Sequence, residues 1–214
     1  QPVALETQMS FHRSRDIPRG GFQIVGPMPV NEASVDWLLY SLRFFHRRAL
    51  EPEGLAQVFG PSAELASATV NALYHKLLTA HNQRVAAFFA QWNMIFGVIY
   101  GQELEKNDAA AQELARLYKI QDKPDLKKLL FAVHTYYVLL MKLLAAELVS
   151  LQEGSWFFSF SADVEAASED ALRSKFEHLE NGGPFRQFNI VNFLEGDFFR
   201  WYLNVWDGAL AQCV

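Results

Sequence analysis

One stretch decides the fold: residues 125–151, which read DLKKLLFAVHTYYVLLMKLLAAELVSL. Asp125 follows a proline, and aspartate in this position caps a helix by accepting a backbone N–H bond. From Leu129 onward nearly every residue is apolar. A helix of this length spans about 40 Å, since each residue adds 1.5 Å. We therefore predict a long helix at the centre of the domain.

The same stretch is long enough to cross a membrane, because about 20 apolar residues suffice. However, three polar residues recur at intervals of seven, namely Lys128, Thr135 and Lys142, and Glu147 follows them. A charge in the bilayer core costs roughly 2.5–3.5 kcal/mol. We therefore predict a soluble protein without membrane contact, whose central helix exposes this one polar stripe to water.

Amphipathic patterns with the helical period fill most of the remaining chain. Residues 82–105 carry the clearest one, with apolar side chains at i, i+3, i+4 and i+7. We predict further helices over residues 31–49, 52–59, 61–80, 108–118, 168–180 and from 197 onward, with a loop over 152–167. The sequence thus predicts an all-α fold: a bundle of about seven to eight helices around the long one, in a domain covering residues 31–214.

Residues 1–30 are rich in proline and glycine, which interrupt regular structure. We predict an irregular N-terminal arm or linker there, with a small basic cluster from His12 to Arg19 that is most simply solvated. The chain starts at Gln1 rather than Met, and it ends inside a predicted helix. We therefore expect it to be a piece of a longer polypeptide.

Charge is spread unevenly along the chain, whose net charge is −5. Residues 151–214 hold four Lys and Arg against ten Asp and Glu. Such an acidic segment argues against a grip on a phosphate backbone by this third of the chain. Cys213 is the only cysteine, so a disulfide within the chain is excluded. This cysteine usage fits a reducing compartment, and we predict a cytoplasmic protein.

The sequence carries no complete catalytic or metal-binding pattern. Its paired glycines, at 20–21 and 182–183, do not follow a hydrophobic strand as phosphate-binding loops do. One cysteine and six scattered histidines do not supply the four closely spaced ligands of zinc. We therefore predict no catalytic, cofactor-binding or metal-binding residue in these 214 residues.

Three local patterns superficially suggest chemistry. Residues 124–127, Pro-Asp-Leu-Lys, resemble part of a metal-dependent nuclease motif, but a capped helix start explains them. His134 is a candidate general base, yet it has no carboxylate three or four positions away. We favour a buried histidine bonded to a neighbouring helix. Glu177 and Glu180 precede a helix stop, and we interpret them as part of a solvated face.

Several short motifs occur together between residues 31 and 207. They are Arg48-Ala49-Leu50-Glu51-Pro52, Phe59-Gly60-Pro61, Trp92 with Ile95-Phe96-Gly97 and Tyr100-Gly101, Phe131-Ala132-Val133-His134-Thr135-Tyr136-Tyr137, Lys142-Leu143-Leu144-Ala145, Leu179-Glu180-Asn181-Gly182-Gly183-Pro184-Phe185, and Asn192-Phe193-Leu194-Glu195-Gly196-Asp197-Phe198-Phe199-Arg200-Trp201-Tyr202-Leu203. In combination they resemble the helical region of large adenine-N6 DNA methyltransferases of restriction-modification systems.

The resemblance implies a function for the segment. In that family the region is a helical connector, which lies after a nuclease-like domain and before the methyltransferase domain. The methyltransferase domain carries the S-adenosylmethionine loop and an Asn-Pro-Pro-Tyr/Phe motif, and neither occurs in this sequence. The resemblance therefore implies a non-catalytic spacer whose partners are the flanking domains of the same polypeptide and DNA. The cofactor S-adenosylmethionine would belong to the parent protein, and none is expected in this segment.

Two basic groups are candidates for contact with the DNA backbone. One lies on the first predicted helix and the other around the connection before the long helix. They are Arg43, Arg47 and Arg48, and Lys119, Lys123, Lys127 and Lys128. Ordinary solvated surface charge is the alternative interpretation.

Two other functions compete with the spacer. The aromatic stretches 156–160 and 198–206 are candidates for the surface of a stand-alone module that binds a partner protein, since exposed apolar patches often mark interfaces. The same stretches equally suit a core. A small-molecule enzyme that uses His134 and Tyr136 is the remaining alternative.

Overall fold

The computed structural model describes residues 29–32, 34–35, 52–100, 108–120, 124–152, 159–186, 188–191 and 198–213. All regular elements in these ranges are helices, so the chain is all-α, as predicted. The chain divides into two compact units, Gln1–Arg47 and Arg48–Val214. The predicted N-terminal arm lies outside the described residues except for its last two positions, and its boundary at residue 30 stays a prediction.

The first unit contains the start of one helix among its described residues. Oδ1 of Asn31 accepts the backbone N–H of Ser34 at 2.9 Å, and Oγ of Ser34 accepts the backbone N–H of Asn31 at 2.9 Å. Such reciprocal bonds satisfy two N–H groups that a helix start leaves unpaired. Asn31 therefore caps the start of the helix predicted over residues 31–49, and the rest of that helix lies outside the described residues.

Ten helical segments make up the described part of the second unit. They are α1 (Pro52–Phe59), α2 (Glu64–Thr79), α3 (Gln83–Tyr100), α4 (Asp108–Leu117), α5 (Leu126–Gln152), α6 (Phe160–Glu165), α7 (Glu169–Glu180), α8 (Gly183–Arg186), a 3-10 helix (Phe198–Val205) and α9 (Gly208–Ala211). The longer helices begin and end within a few residues of the predicted limits. The count exceeds the prediction because α6, α8 and α9 are short helices of one or two turns.

The break between α1 and α2 depends on a glycine. The backbone N–H of Gly60 donates to the carbonyl of Ala56 at 3.0 Å. A Cβ atom on Gly60 would lie 2.1 Å from that same oxygen, far inside van der Waals contact. Glycine is therefore required where α1 ends, and the predicted break at Gly60-Pro61 is confirmed.

The start of α5 is fixed by two bonds of Asp125. Its Oδ1 accepts the backbone N–H of Lys128 at 3.1 Å, which is the predicted cap. Its own backbone N–H donates to the hydroxyl oxygen of Tyr74, on α2, at 2.9 Å. These bonds hold the first turn of α5 against α2, and α2 and α5 share the most extensive helix interface of the described chain.

The core centres on Phe131, in the second turn of α5, whose side chain is completely buried. The ring centroids of Trp92 and Phe89, on α3, lie 5.2 and 5.6 Å from that of Phe131. Those of Trp201 and Phe199, on the 3-10 helix, lie at 5.7 and 5.8 Å. Aromatic rings at such separations attract one another beyond the effect of burial alone. Two elements from distant parts of the sequence, α3 and the 3-10 helix, therefore meet on one side chain of α5.

The predicted loop over residues 152–167 is wrong at its C-terminal end, where α6 forms. Oγ of Ser159 accepts the backbone N–H of Ala162 at 3.1 Å and so caps α6. The Glu147 carboxylate, on α5, accepts the Ser159 hydroxyl at 3.0 Å and the backbone N–H of Ser161 at 2.9 Å. A side chain of another helix thus stabilises this short helix, and the local sequence pattern does not reveal it.

The single helix predicted from residue 197 onward is also wrong, because the chain forms two segments there. The 3-10 helix ends at Val205, and Asp207 then starts α9 by accepting the backbone N–H of Leu210 at 3.0 Å. Asp207 also forms an ion pair with Lys76 of α2. An aspartate that caps a helix cannot also lie in a helix interior, so the apolar periodicity through Trp206 misled the prediction.

By length and composition, α5 resembles a membrane span. Its segment Leu126–Ser150 has a mean hydropathy of 1.7 over its most apolar window, and half of that window is buried inside the protein. The helix contacts α2, α3, α6, α7, α8 and the 3-10 helix. It is thus the central helix of the fold, as predicted.

Candidate functional site

The most unusual chemistry of the described chain is an ion pair inside the core. Nζ of Lys142, on α5, lies 2.5 Å from Oε2 of Glu180, the last residue of α7. Both side chains are 1% exposed. Oε1 of Glu180 accepts the hydroxyl of Tyr202, from the 3-10 helix, at 2.9 Å. Both carboxylate oxygens are therefore engaged, as a buried charge requires.

Two predictions are wrong at this point. The polar stripe of α5 was expected to face water, but Thr135 and Lys142 are 0% and 1% exposed. Glu180 was assigned to a solvated face, whereas it is buried. Only Glu177 fits that assignment, since it is partly exposed and pairs with Arg173 at 3.3 Å. The physical reason is that each of the two buried charges neutralises the other, which a reading of either helix alone cannot show.

A second buried hydrogen-bonded chain lies about two turns away along α5, at Thr135. The indole N–H of Trp201 donates to Oγ1 of Thr135 at 2.8 Å, and that hydroxyl donates to the Phe131 carbonyl at 2.7 Å. Thr135 and Trp201 have no exposed surface. We refer to the set Thr135, Lys142, Glu180, Trp201 and Tyr202 as the buried polar cluster. It joins α5, α7 and the 3-10 helix through directional bonds in addition to apolar contact.

His134 has a structural partner rather than a reactive one. Its Nδ1 accepts the indole N–H of Trp92, on α3, at 3.2 Å. Its ring also lies within 5.5 Å of Phe96 and 6.5 Å of Phe199, measured between centroids. Burial lowers the pKa of His134, so the neutral ring that accepts this bond is favoured. The predicted hydrogen bond of His134 to a neighbouring helix is confirmed, and the side chain is half-buried rather than fully buried.

Tyr136 is also engaged within the fold. Its hydroxyl donates to the Phe59 carbonyl, at the end of α1, at 2.9 Å. Burial, with a smaller contribution from neighbouring Tyr137, raises the pKa of Tyr136 to about 12. A phenol with this pKa stays protonated at neutral pH and continues to donate. The bonds of His134 and Tyr136 therefore point to structural roles for the two residues on which an enzyme hypothesis would depend.

The predicted DNA-contacting residues are described only in part. Lys119 lies in the turn after α4, and Lys127 and Lys128 lie in the first turn of α5. The four remaining candidates lie outside the described part of the chain. These remaining candidates are Arg43, Arg47, Arg48 and Lys123. Contact between any of the seven and DNA stays a prediction.

The aromatic stretch 198–206 belongs mainly to the core. Trp201 and Tyr202 have no exposed surface, and Leu203 is 7% exposed. Residues 156–158 of the other stretch lie outside the described residues. The surface proposed for a stand-alone interaction module is therefore not formed by residues 201–203.

Three arginines converge on the surface of the second unit. They come from the first turn of α3, the middle of α7 and the 3-10 helix, and they line one open cavity of about 570 Å³. They are Arg84, Arg173 and Arg200. Sequence reasoning missed this group because its members are far apart in the chain and lie in no common motif. Each is an unremarkable surface residue until the fold brings the three together.

Groups of three or more His, Cys, Asp or Glu side chains arranged to hold a metal ion do not occur among the described residues. Comparison with known proteins adds no identification, since no family model, no curated protein and no solved structure matches the chain. The functional argument therefore rests on the buried polar cluster, the surface cavities and the motifs of the sequence.

Proposed function

We propose that this chain is a non-catalytic helical connector of a DNA adenine-N6 methyltransferase from a restriction-modification system. Its role would be to hold a nuclease-like domain and a methyltransferase domain at a fixed separation. The partners would be those flanking domains and, through the parent protein, DNA. S-adenosylmethionine would bind to the methyltransferase domain, and the parent protein would be cytoplasmic.

One observation carries the proposal. The motifs that resemble the family lie far apart in the sequence, yet their polar residues meet in the buried polar cluster. Lys142 opens one motif, Glu180 belongs to a second, and Tyr202 belongs to a third. Buried polar groups that are fully bonded favour one arrangement of the surrounding helices. The resembling motifs thus serve to fix helix positions, which is what a spacer requires.

A second feature supports docking to a neighbouring domain. Met141 and Leu148, on α5, are 56% and 53% exposed. They are seven positions apart, so they lie on one face of the helix. Exposed apolar side chains on a central helix suit contact with a flanking domain of the same polypeptide. A stand-alone module that binds a separate partner protein would use the same face and is the alternative.

The gene around this segment distinguishes these two functions. For a connector, the reading frame continues downstream into a glycine-rich S-adenosylmethionine loop and an Asn-Pro-Pro-Tyr/Phe motif. A nuclease-like domain precedes it upstream. A frame that lacks both domains would refute the connector and favour the stand-alone module.

Ligand-induced changes in melting temperature test the non-catalytic part of the proposal. A ligand that binds only the folded state raises the melting temperature, and the increase grows as the ligand concentration rises above its dissociation constant. We expect no increase with S-adenosylmethionine at concentrations that saturate methyltransferases. A dose-dependent increase with this cofactor would show a cofactor site in the chain and refute the spacer.

Native-state hydrogen exchange tests whether the body is stiff. The backbone amides of α5 around Thr135 and Lys142 should exchange only through global unfolding, because the buried polar cluster holds this part of α5 to α7 and the 3-10 helix. Exchange of these amides through local opening, with a much smaller free energy than that of global unfolding, would contradict a rigid spacer.

A further inference from the structure

The arginine-lined cavity has walls from three elements of the second unit. The helix α3 contributes Arg84, Ala87 and Phe88. The helix α7 and the residue after it contribute Arg173, Glu177 and Asn181. The 3-10 helix contributes Arg200, Leu203 and Asn204. Its volume of about 570 Å³ is in the range of small-molecule binding sites. The cavity therefore combines cationic, amide and apolar groups in a space large enough for a nucleotide.

The charge of the cavity departs from that of the surrounding sequence. Residues 151–214 carry an excess of acidic side chains, yet three guanidinium groups line the cavity against one carboxylate, that of Glu177. The guanidinium group of Arg84 forms neither a hydrogen bond nor an ion pair with any part of the chain that the structure describes, whereas its backbone N–H donates to Asn82. A convergence of like charges is unfavourable unless an anion neutralises it. The cavity thus favours an anionic ligand.

The amide side chains add donors to the same wall. Nη1 of Arg200 donates to Oδ1 of Asn181 at 3.2 Å, which orients the guanidinium group and directs the Asn181 NH₂ group away from Arg200. Asn204 donates to the Trp201 carbonyl at 3.3 Å and is thereby held in place. Guanidinium and amide donors on a fixed wall suit the several acceptor oxygens of a phosphate group.

We propose that this cavity binds the phosphate group of a nucleotide, either free or within a nucleic acid strand. Arg84, Arg173 and Arg200 would bind the phosphate oxygens. The half-buried ring of Phe88 and the side chain of Leu203 supply an apolar wall against which the sugar or base packs. The site goes beyond the connector function, since a nucleotide can bind there whichever polypeptide the segment belongs to.

Two features of the cavity act in opposite directions. Its α3 wall is the N-terminal end of an 18-residue helix, whose dipole favours anions. Its α7 wall is a helix C-terminus, whose dipole disfavours them, and Glu177 adds a negative charge. The ion pair between Glu177 and Arg173 is exposed and spans one helical turn, so it is weak and yields readily to a phosphate. The balance favours binding because three guanidinium groups outweigh one carboxylate.

Isothermal titration of the 214-residue chain with three probes tests the proposal and identifies the source of the phosphate. The probes are ADP, a short single-stranded oligonucleotide and inorganic phosphate. Saturable binding of ADP identifies a free nucleotide as a ligand. If the oligonucleotide binds and ADP does not, the ligand is a nucleic acid strand. Inorganic phosphate should bind more weakly than either, because it makes no contact with Phe88.

The matched variants are Arg84→Gln and Arg116→Gln. Both arginines are exposed, and both changes remove one positive charge, but Arg116 lies on α4 and is not part of the cavity wall. Arg84→Gln should weaken binding about tenfold, the range that one charge-assisted hydrogen bond provides. Arg116→Gln should leave the affinity unchanged. Equal losses in both variants would reduce the effect to general charge attraction and overturn the site.

A third variant makes the opposite prediction. Glu177→Gln removes the one carboxylate that the described residues contribute to the cavity wall and frees Arg173, so it should tighten nucleotide binding severalfold. Circular dichroism and thermal melting verify that each variant is folded. The proposal would be overturned if none of the three probes bound. It would also be overturned if the two single variants, Glu177→Gln and Arg84→Gln, both bound the nucleotide with the affinity of the parent protein. None of these outcomes depends on the identity of the flanking domains. The connector function is tested separately, by the reading frame around this segment.

Discussion

Nζ of Lys142 lies 2.5 Å from Oε2 of Glu180, and the two residues are 38 positions apart in the chain. Each side chain keeps 1% of its surface exposed. Charges removed from water in this way are tolerated as a pair, because each offsets the desolvation cost of the other. The pair joins the centre of α5 to the end of α7, and it determines how the fold responds to loss of either partner.

Replacement of Lys142 by Met should strongly destabilise the protein. The variant leaves the Glu180 carboxylate buried without its counter-charge, and removal of one partner of a buried pair costs about 3–5 kcal/mol. Urea denaturation followed by circular dichroism measures the loss as a change in the free energy of unfolding. Glu180→Met, which removes the other charge, should give a loss of the same order.

The double variant Lys142→Met with Glu180→Met is the control. Since two apolar side chains need no counter-charge, it should recover most of the stability that either single variant loses. Losses that simply add in the double variant would show that the two side chains act independently, which contradicts the coupling inferred here.

Thr135→Val tests the second buried bond of the cluster. Valine has nearly the same shape as threonine but leaves the indole N–H of Trp201 unpaired in the core. An unsatisfied buried donor costs about 1–3 kcal/mol. Thr135→Ser keeps the hydroxyl and should lose less, apart from the effect of the missing methyl group. If the valine variant were as stable as the parent in urea denaturation, the Trp201 bond would contribute nothing.

Much of the fold could be predicted because helical periodicity is a local signal. The apolar stripes placed α3 and α5 correctly, and proline and glycine located the break between α1 and α2. Single residues also allowed helix caps to be predicted, such as Asp125 at the start of α5. Each of these features depends on residues within one or two turns of each other, so one sequence suffices.

The errors concern contacts between distant residues. The spacing of Thr135 and Lys142 correctly predicted a common stripe, but whether a stripe faces water or a partner depends on what packs against it. A lysine in an apolar run was itself a signal, because it requires either water or a counter-charge. The sequence offered no means of selecting Glu180 from many acidic residues. The arginine-lined cavity was unpredictable for the same reason.

His134 should make stability depend on pH. Burial lowers its pKa in the folded state below the ordinary value of 6.5, so the folded form resists protonation while the unfolded chain accepts a proton. The stabilising contribution is complete above pH 6.5 and is lost as the pH falls through the folded-state pKa. Urea midpoints between about pH 7 and pH 5 measure this slope.

His134→Asn is the matched control for that slope. Its amide oxygen can replace Nδ1 as the acceptor of the Trp92 N–H, and it does not titrate. The stability of this variant should therefore fall less steeply over the same pH range. An identical slope in both proteins would mean that groups other than His134 account for the acid sensitivity.

Lys119 should be replaceable by glycine with a gain in stability. Its φ of 56° lies in the left-handed region, where it ends α4 and lets the Ile120 N–H donate to the Ala115 carbonyl at 2.8 Å. A side chain with a Cβ atom costs roughly 1–2 kcal/mol in this conformation, and glycine does not. Lys119→Ala is the control, since it removes the same charge but keeps the Cβ. The greater backbone entropy of glycine in the unfolded chain cancels part of this gain. The free energy of unfolding of Lys119→Gly should therefore exceed that of Lys119→Ala by about 1 kcal/mol. Equal stabilities of the two variants would show that the left-handed turn carries no such cost.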